Sequence, residues 1–217
     1  MLKLLYKEFR LASHPTSFIF LALGAMLLIP AYPYFVVFFY TCLGIFFVFL
    51  AARENHDTVF TVSLPVRKRD VVKARVFMVV IIELAQLVIA VPFALLGAAI
   101  NPNAEGNAVG IEANPAFFGL TLVMLALFNI IFIPTFYKTA YKVGKAFAAA
   151  VIPLGLYIIL AEGIVRFVPA LKTTLDTTDA AYLPVQLIVL AAGAVIFAAG
   201  NIAAFRLAAA RFDKVDL

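Results

Sequence analysis

Six stretches of this chain are long, apolar and sparsely charged, and no water-soluble fold can bury all of them. They cover residues 13–29, 33–52, 72–100, 116–137, 147–164 and 184–207. A helix needs about 20 apolar residues to cross a hydrocarbon core of roughly 30 Å. Soluble domains are about half apolar and a quarter charged. Here 65% of 217 residues are hydrophobic and 13% are charged. Lipid is the solvent that accepts such a surface. The pattern predicts an all-α polytopic membrane bundle of six transmembrane helices, a single domain over residues 1–217.

The first two stretches need a break between them. Read as one helix, residues 17–52 would extend about 36 residues, or roughly 54 Å at 1.5 Å each. Pro30 and Pro33 supply the break, because proline removes a donor and disfavours helix in the residue before it. A tight hairpin of two helices is expected. Ahead of it, Leu2, Leu5, Tyr6 and Phe9 recur at helical spacing, with Lys3, Lys7 and Arg10 on another face. This pattern predicts an interfacial helix over residues 1–12 lying in the headgroup plane. A cleaved signal peptide is disfavoured, because Glu8 interrupts the basic start and no clear A-x-A site follows.

Charge orients the bundle. Loops joined to the N-terminus by an even number of crossings hold 15 of the 17 Lys and Arg, and the other side holds only Arg166 and Lys172. The positive-inside rule then places both termini in the cytoplasm. The net charge of +5 is therefore membrane patterning. It is no footprint for nucleic acid, and no nucleic-acid partner is expected.

Chemistry is sparse. A phosphate-binding loop needs G-x-x-x-x-G-K-[ST]. The Gly144-Lys145 pair has Thr139 in place of the first glycine and Ala146 after the lysine. His14 and His56 stand far apart without metal partners, and Cys42 is a lone cysteine inside an apolar run. No catalytic residue and no metal ligand is predicted. Glu83 lies about 12 Å past Arg75 along its helix, with Gln86 one turn further on the same face. Acids in membrane helices face protein or water. Two readings stand: a polar lining of a substrate path, or an interhelical tie to a base, Asn129 or Asn201.

The first inner loop, residues 53–71, is the sharpest feature. Asn55 or Asp57 can cap a short helix. Val59, Phe60, Val62 and Leu64 give that helix apolar knobs, Pro65 stops it, and Asp70 can cap the next membrane helix. Such a helix can act as a lever for a soluble partner, or simply seal the bundle.

Residues 54–75, with Ser63-Leu64-Pro65 followed by Arg67-Lys68-Arg69, resemble the segment after the second helix in permease subunits of the ABC type-2 exporter family. The opening Lys3-Leu4-Leu5-Tyr6-Lys7-Glu8-Phe9-Arg10 is similar to that family's interfacial helix. The resemblance implies a multi-pass subunit of the cell membrane that forms a substrate path with a second six-helix subunit, identical or similar. A separate ATPase would power it, with ATP and Mg held there and no cofactor in this chain. Asn55, Asp57, Val59, Phe60, Val62 and Leu64 would form the coupling helix that seats in the ATPase. Residues 165–183 would fold back into the outer membrane face. The competing reading is a scaffold or immunity-type membrane protein that transports nothing.

Overall fold

A computed structural model describes residues 2–100, 107–139 and 141–214, apart from the side chains of Thr58, Val59 and Val62. The apolar roles expected of Val59 and Val62, and the outer-loop acid Glu105, lie outside the described residues. Every regular element described is helical.

The chain opens with α1 (Leu2–Ala12), whose last turn is π-helical. It then turns by 91° into α2 (Pro15–Leu28). Local chemistry makes this corner. His14 precedes Pro15 and is held in extended backbone, as the residue before proline must be. The His14 ring accepts from the Thr16 N–H, and Pro15 occupies the first helical position, where a missing N–H costs nothing. An amphipathic α1 at right angles to a membrane segment is the geometry expected of an interfacial helix. The second half of α2, Ala22–Leu28, winds as a 3-10 helix. That winding rises about 2 Å per residue, so a 14-residue α2 reaches roughly 25 Å.

A turn at Pro30 leads into α3 (Phe35–Glu54), followed by the short α4 (Asp57–Val62) and the long α5 (Lys68–Ile100). Next come α6 (Pro115–Lys138), α7 (Val143–Phe167), the short α8 (Pro169–Leu175) and α9 (Leu183–Phe212). Five of these are long and apolar enough to cross a membrane, and the bent α1–α2 pair makes a sixth candidate. The all-α polytopic bundle is therefore as the sequence predicts.

Three helices outrun their apolar stretches. α5 starts at Lys68 and not at 72, α7 covers 143–167 and not 147–164, and α9 continues to Phe212. The added residues include Lys68, Arg69, Lys145, Arg166 and Arg211. Hydropathy marks the edge of hydrocarbon, while helical hydrogen bonding continues into the headgroups, where long basic side chains snorkel. Asp70 consequently sits in the first turn of α5 and does not cap it. A carboxylate there still complements the helix dipole.

The centre of the bundle is α6, which packs most closely against α9. A Cβ built on Gly193 would stand 2.2 Å from the Gly119 carbonyl oxygen, and one on Gly119 would stand 2.5 Å from the Val189 oxygen. Phe117, Phe128, Phe132 and Phe136 of α6 are fully or almost fully buried, and Phe49 of α3 lies edge-on to Phe132 and Phe136. By contrast α7 turns Ile152, Leu156 and Ile159 outward, as a lipid-facing helix would.

Contacts divide the molecule into two ends. At the basic end, Lys7 meets Asp57, Lys68 lies over the Phe212 ring, and Tyr141 packs against Phe212. The N-terminal helix, both loops on that side and the end of α9 therefore share one end. At the opposite end, Asn107 donates to the Tyr32 carbonyl and Ala108 N–H to the Pro30 carbonyl, holding residues 107–108 against the α2–α3 turn. Asn114 caps α6 through the Phe117 N–H and donates to the Leu175 and Thr177 carbonyls. Gln186 of α9 donates to the Thr174 and Thr177 carbonyls. Residues 165–183 thus turn back through α8 and a 3-10 turn, tied from both sides. Burial pushes the Glu112 carboxyl upward here, and Asp176 nearby adds to it. Burial, then the Glu112 charge, pushes the Tyr34 hydroxyl up to about 12.

Candidate functional site

Two groupings of polar side chains stand out, one at the basic end and one inside the bundle. The first begins where α3 stops. The Asn55 N–H closes α3 on the Ala51 carbonyl, and His56 takes φ 51°, the left-handed region that ends a helix sharply. This turn sets α4 across the end of the bundle. Asn55 and His56 are exposed, and so are the large apolar side chains of Phe60 (57%) and Leu64 (42%).

Asp57 points the other way. It is buried, and its carboxylate accepts from Arg75 Nη2 of α5 at 2.6 Å and from Lys7 Nζ of α1 at 2.8 Å. Lys7 also donates to the Thr61 hydroxyl of α4 and pairs with Glu8 at 2.8 Å. Arg75 Nε pairs in turn with Glu8, which is fully buried. Two acids and two bases from α1, α4 and α5 therefore form one closed, neutral cluster. The Arg75 guanidinium also lies 5.4 Å from the Phe49 ring, which brings in α3.

Removing two charges from water costs several kcal/mol each, and mutual attraction offsets this only with good geometry. Such a cluster adds little net stability, yet breaking it is expensive. Its consequence is stiffness, since α4 cannot shift without carrying Arg75 and Lys7 along. The sequence names Asp57 as part of the lever but does not name its partners in the cluster. Lys7 and Asp57 are 50 positions apart, and Asp57 and Arg75 are 18 apart. Glu8 was the one available signal: a lone acid in a basic amphipathic helix needs a cation.

The second grouping lies in the core. Asn129 of α6 donates to Glu83 Oε2 of α5 at 2.8 Å and to Asn201 Oδ1 of α9 at 3.0 Å. Asn201 donates to the Phe197 carbonyl of its own helix. Glu83, Asn129 and Asn201, named from sequence on three separate helices, thus meet at one point, and Glu83 is wholly enclosed. Gln86 is buried one turn further along α5, beside Gly24 of α2, and its amide has no hydrogen-bond partner among the described residues. It does not join the set. Three helices are therefore tied by side-chain hydrogen bonds buried inside the bundle.

The described histidines are accounted for locally, with His14 capping α2 and His56 in the turn before α4. Among the described residues no three or more of His, Cys, Asp and Glu are placed to hold a metal ion.

No curated protein and no solved structure matches the chain. The family model described as "ABC-2 family transporter protein" matches residues 3–206. That match takes in the interfacial helix, the α4 loop and nearly all of the membrane bundle, and the chain belongs to the ABC-2 transporter family, as a membrane-embedded permease.

Proposed function

We propose that this permease is one membrane subunit of an ATP-driven exporter, powered by a separate ATPase that grips α4. The observation that carries the reading is the two-sidedness of that helix. Phe60 and Leu64 are exposed on one side, while Asp57 and Thr61 on the other are bound to Arg75 and Lys7. An exposed aromatic on a stiffly mounted helix is the kind of anchor that dominates protein contacts. The sequence carries no phosphate-binding loop, so energy must arrive through such a surface, with ATP and Mg in the partner chain. Of the residues predicted to meet the ATPase, Asn55, Phe60 and Leu64 serve as contacts, and Asp57 transmits. A push on Phe60 is passed through Asp57 to Arg75 in α5 and to Lys7 in α1.

The reading places both termini and the basic end in the cytoplasm, following the distribution of Lys and Arg. It also calls for a second six-helix subunit, identical or similar, as the family resemblance implies. The Glu83, Asn129 and Asn201 set serves as an interhelical tie. Its members bond to one another and are buried in the bundle.

The test is co-purification of the ATPase together with its hydrolysis in reconstituted membranes. Phe60→Ala is expected to weaken association by more than about 1 kcal/mol and to reduce transport-coupled hydrolysis, with insertion unchanged. Full association and full stimulation in a Phe60→Ala, Leu64→Ala double variant would remove α4 from the mechanism.

A further inference from the structure

A cavity of about 540 Å³ opens at the basic end between α1, the 64–67 turn and the start of α5. Leu4, Leu64 and Val66 line its apolar part, and Lys3, Lys7, Arg67 and Asp70 its polar part. Lys7 is already held by Asp57, Glu8 and Thr61. Lys3 and Arg67 are exposed, and neither side chain has a hydrogen bond or ion pair among the described residues. Two uncommitted cations against the single carboxylate of Asp70 leave one net positive charge. That balance complements the one negative charge of a phosphodiester.

Position and size narrow the ligand further. α1 lies at 91° to α2, and with α1 read as an interfacial helix the cavity sits at the level of the headgroups. Next to Lys3, Leu2 and Tyr6 are broadly exposed on α1, as side chains dipping into acyl chains would be. A volume of 540 Å³ is many times the ~30 Å³ share of one water. It accommodates a headgroup with its glycerol and first methylenes, for which Leu4 and Val66 provide the apolar wall.

We propose that this cavity binds the headgroup of an anionic glycerophospholipid, the phosphodiester between Lys3 and Arg67 and the glycerol against Leu4 and Val66. The bound lipid bridges α1 to the turn that follows α4. It therefore braces the same lever that the Lys7–Glu8–Asp57–Arg75 cluster holds from inside. The inference rests on the proposed orientation, with the basic end at the cytoplasmic face and α1 in its headgroup plane. Lipid binding is measured without the ATPase, so its failure is distinguishable from failure of the coupling role.

The experiment is native mass spectrometry of the full chain in detergent, titrated with phosphatidylglycerol or phosphatidylcholine. One phosphatidylglycerol per chain is expected to be retained at least about tenfold more tightly than phosphatidylcholine, given the worth of each base near anionic lipid. A Lys3→Gln, Arg67→Gln variant should lose that preference, and Lys3→Arg, Arg67→Lys should keep it. Leu4→Trp fills the wall while leaving both charges and should also lose it, which separates a built site from surface charge. Lys142→Gln, Lys145→Gln on the other basic loop should change nothing. Undiminished preference in both the glutamine pair and Leu4→Trp overturns the proposal. Equal loss from the Lys142, Lys145 pair, or complete displacement of the lipid by inorganic phosphate, overturns it too.

Discussion

At the scale of single residues, the molecule is governed by a few charges that tertiary contact neutralises. Arg75 meets both Glu8 and Asp57, and Lys7 meets the same two acids. Removing one partner of a buried pair strands the other and typically costs about 3–5 kcal/mol. Arg75→Met leaves two carboxylates facing one ammonium, and we expect a loss of that order. Asp57→Leu combined with Arg75→Met leaves Lys7 paired with Glu8, a balanced set, and should recover much of the loss. Thermal unfolding followed by circular dichroism reads this directly, since the chain has no Trp to report by fluorescence. A double variant as unstable as the two single losses added together would show that the four charges do not act as a unit. Of these residues the sequence singled out only Asp57 for a role, as part of the partner-binding helix, and its internal partners were not predicted. A carboxylate at the start of α4 has two cations within reach on the inner side.

At the scale of elements, the boundaries that chemistry writes locally were legible, and those set by depth in the membrane were not. The Pro30–Pro33 break follows from proline, and the His14-Pro15 corner and the Asn114-Pro115 start of α6, not predicted from the sequence, obey the same local chemistry. The extra turns of α5, α7 and α9 do not, because charged residues end a hydropathy run without ending a helix. Contact between helices depends on small residues whose role appears only in the crossing. Gly193 sits against the backbone of Gly119 so closely that any Cβ must force α6 and α9 apart. Gly193→Ala should destabilise by about 1–3 kcal/mol through overpacking. Gly155→Ala on α7, where a Cβ meets nothing within 4 Å, should be neutral or slightly stabilising, since alanine favours helix. Equal thermal midpoints for the two variants would contradict the close crossing.

At the scale of the whole molecule, the uneven distribution of Lys and Arg along the chain becomes a difference between two ends. The N-terminal helix, the α4 loop, the α6–α7 loop and the end of α9 converge at one end, and residues 107–114 and 176–186 at the other. The orientation proposed for these ends is checked with single cysteines in a Cys42→Ala background. Val109→Cys should react with a membrane-impermeant maleimide in intact cells. Ser63→Cys and Lys142→Cys should react only after permeabilisation. The reverse pattern would invert the topology and leave α4 on the wrong side for any cytoplasmic ATPase.

By itself the sequence determined the all-α polytopic membrane class and the short helix after the second apolar stretch. These follow from hydropathy, proline and charge, which act along the chain over a few residues at a time. Only the tertiary structure decided which face of α4 is held and which is offered. It alone joined Glu83 to Asn129 and Asn201 from three helices, and it alone placed Lys3 and Arg67 on one cavity. The physical reason is reach. A hydrogen bond or ion pair forms across about 3 Å of space, and these partners are brought there by helices that cross far apart in the chain.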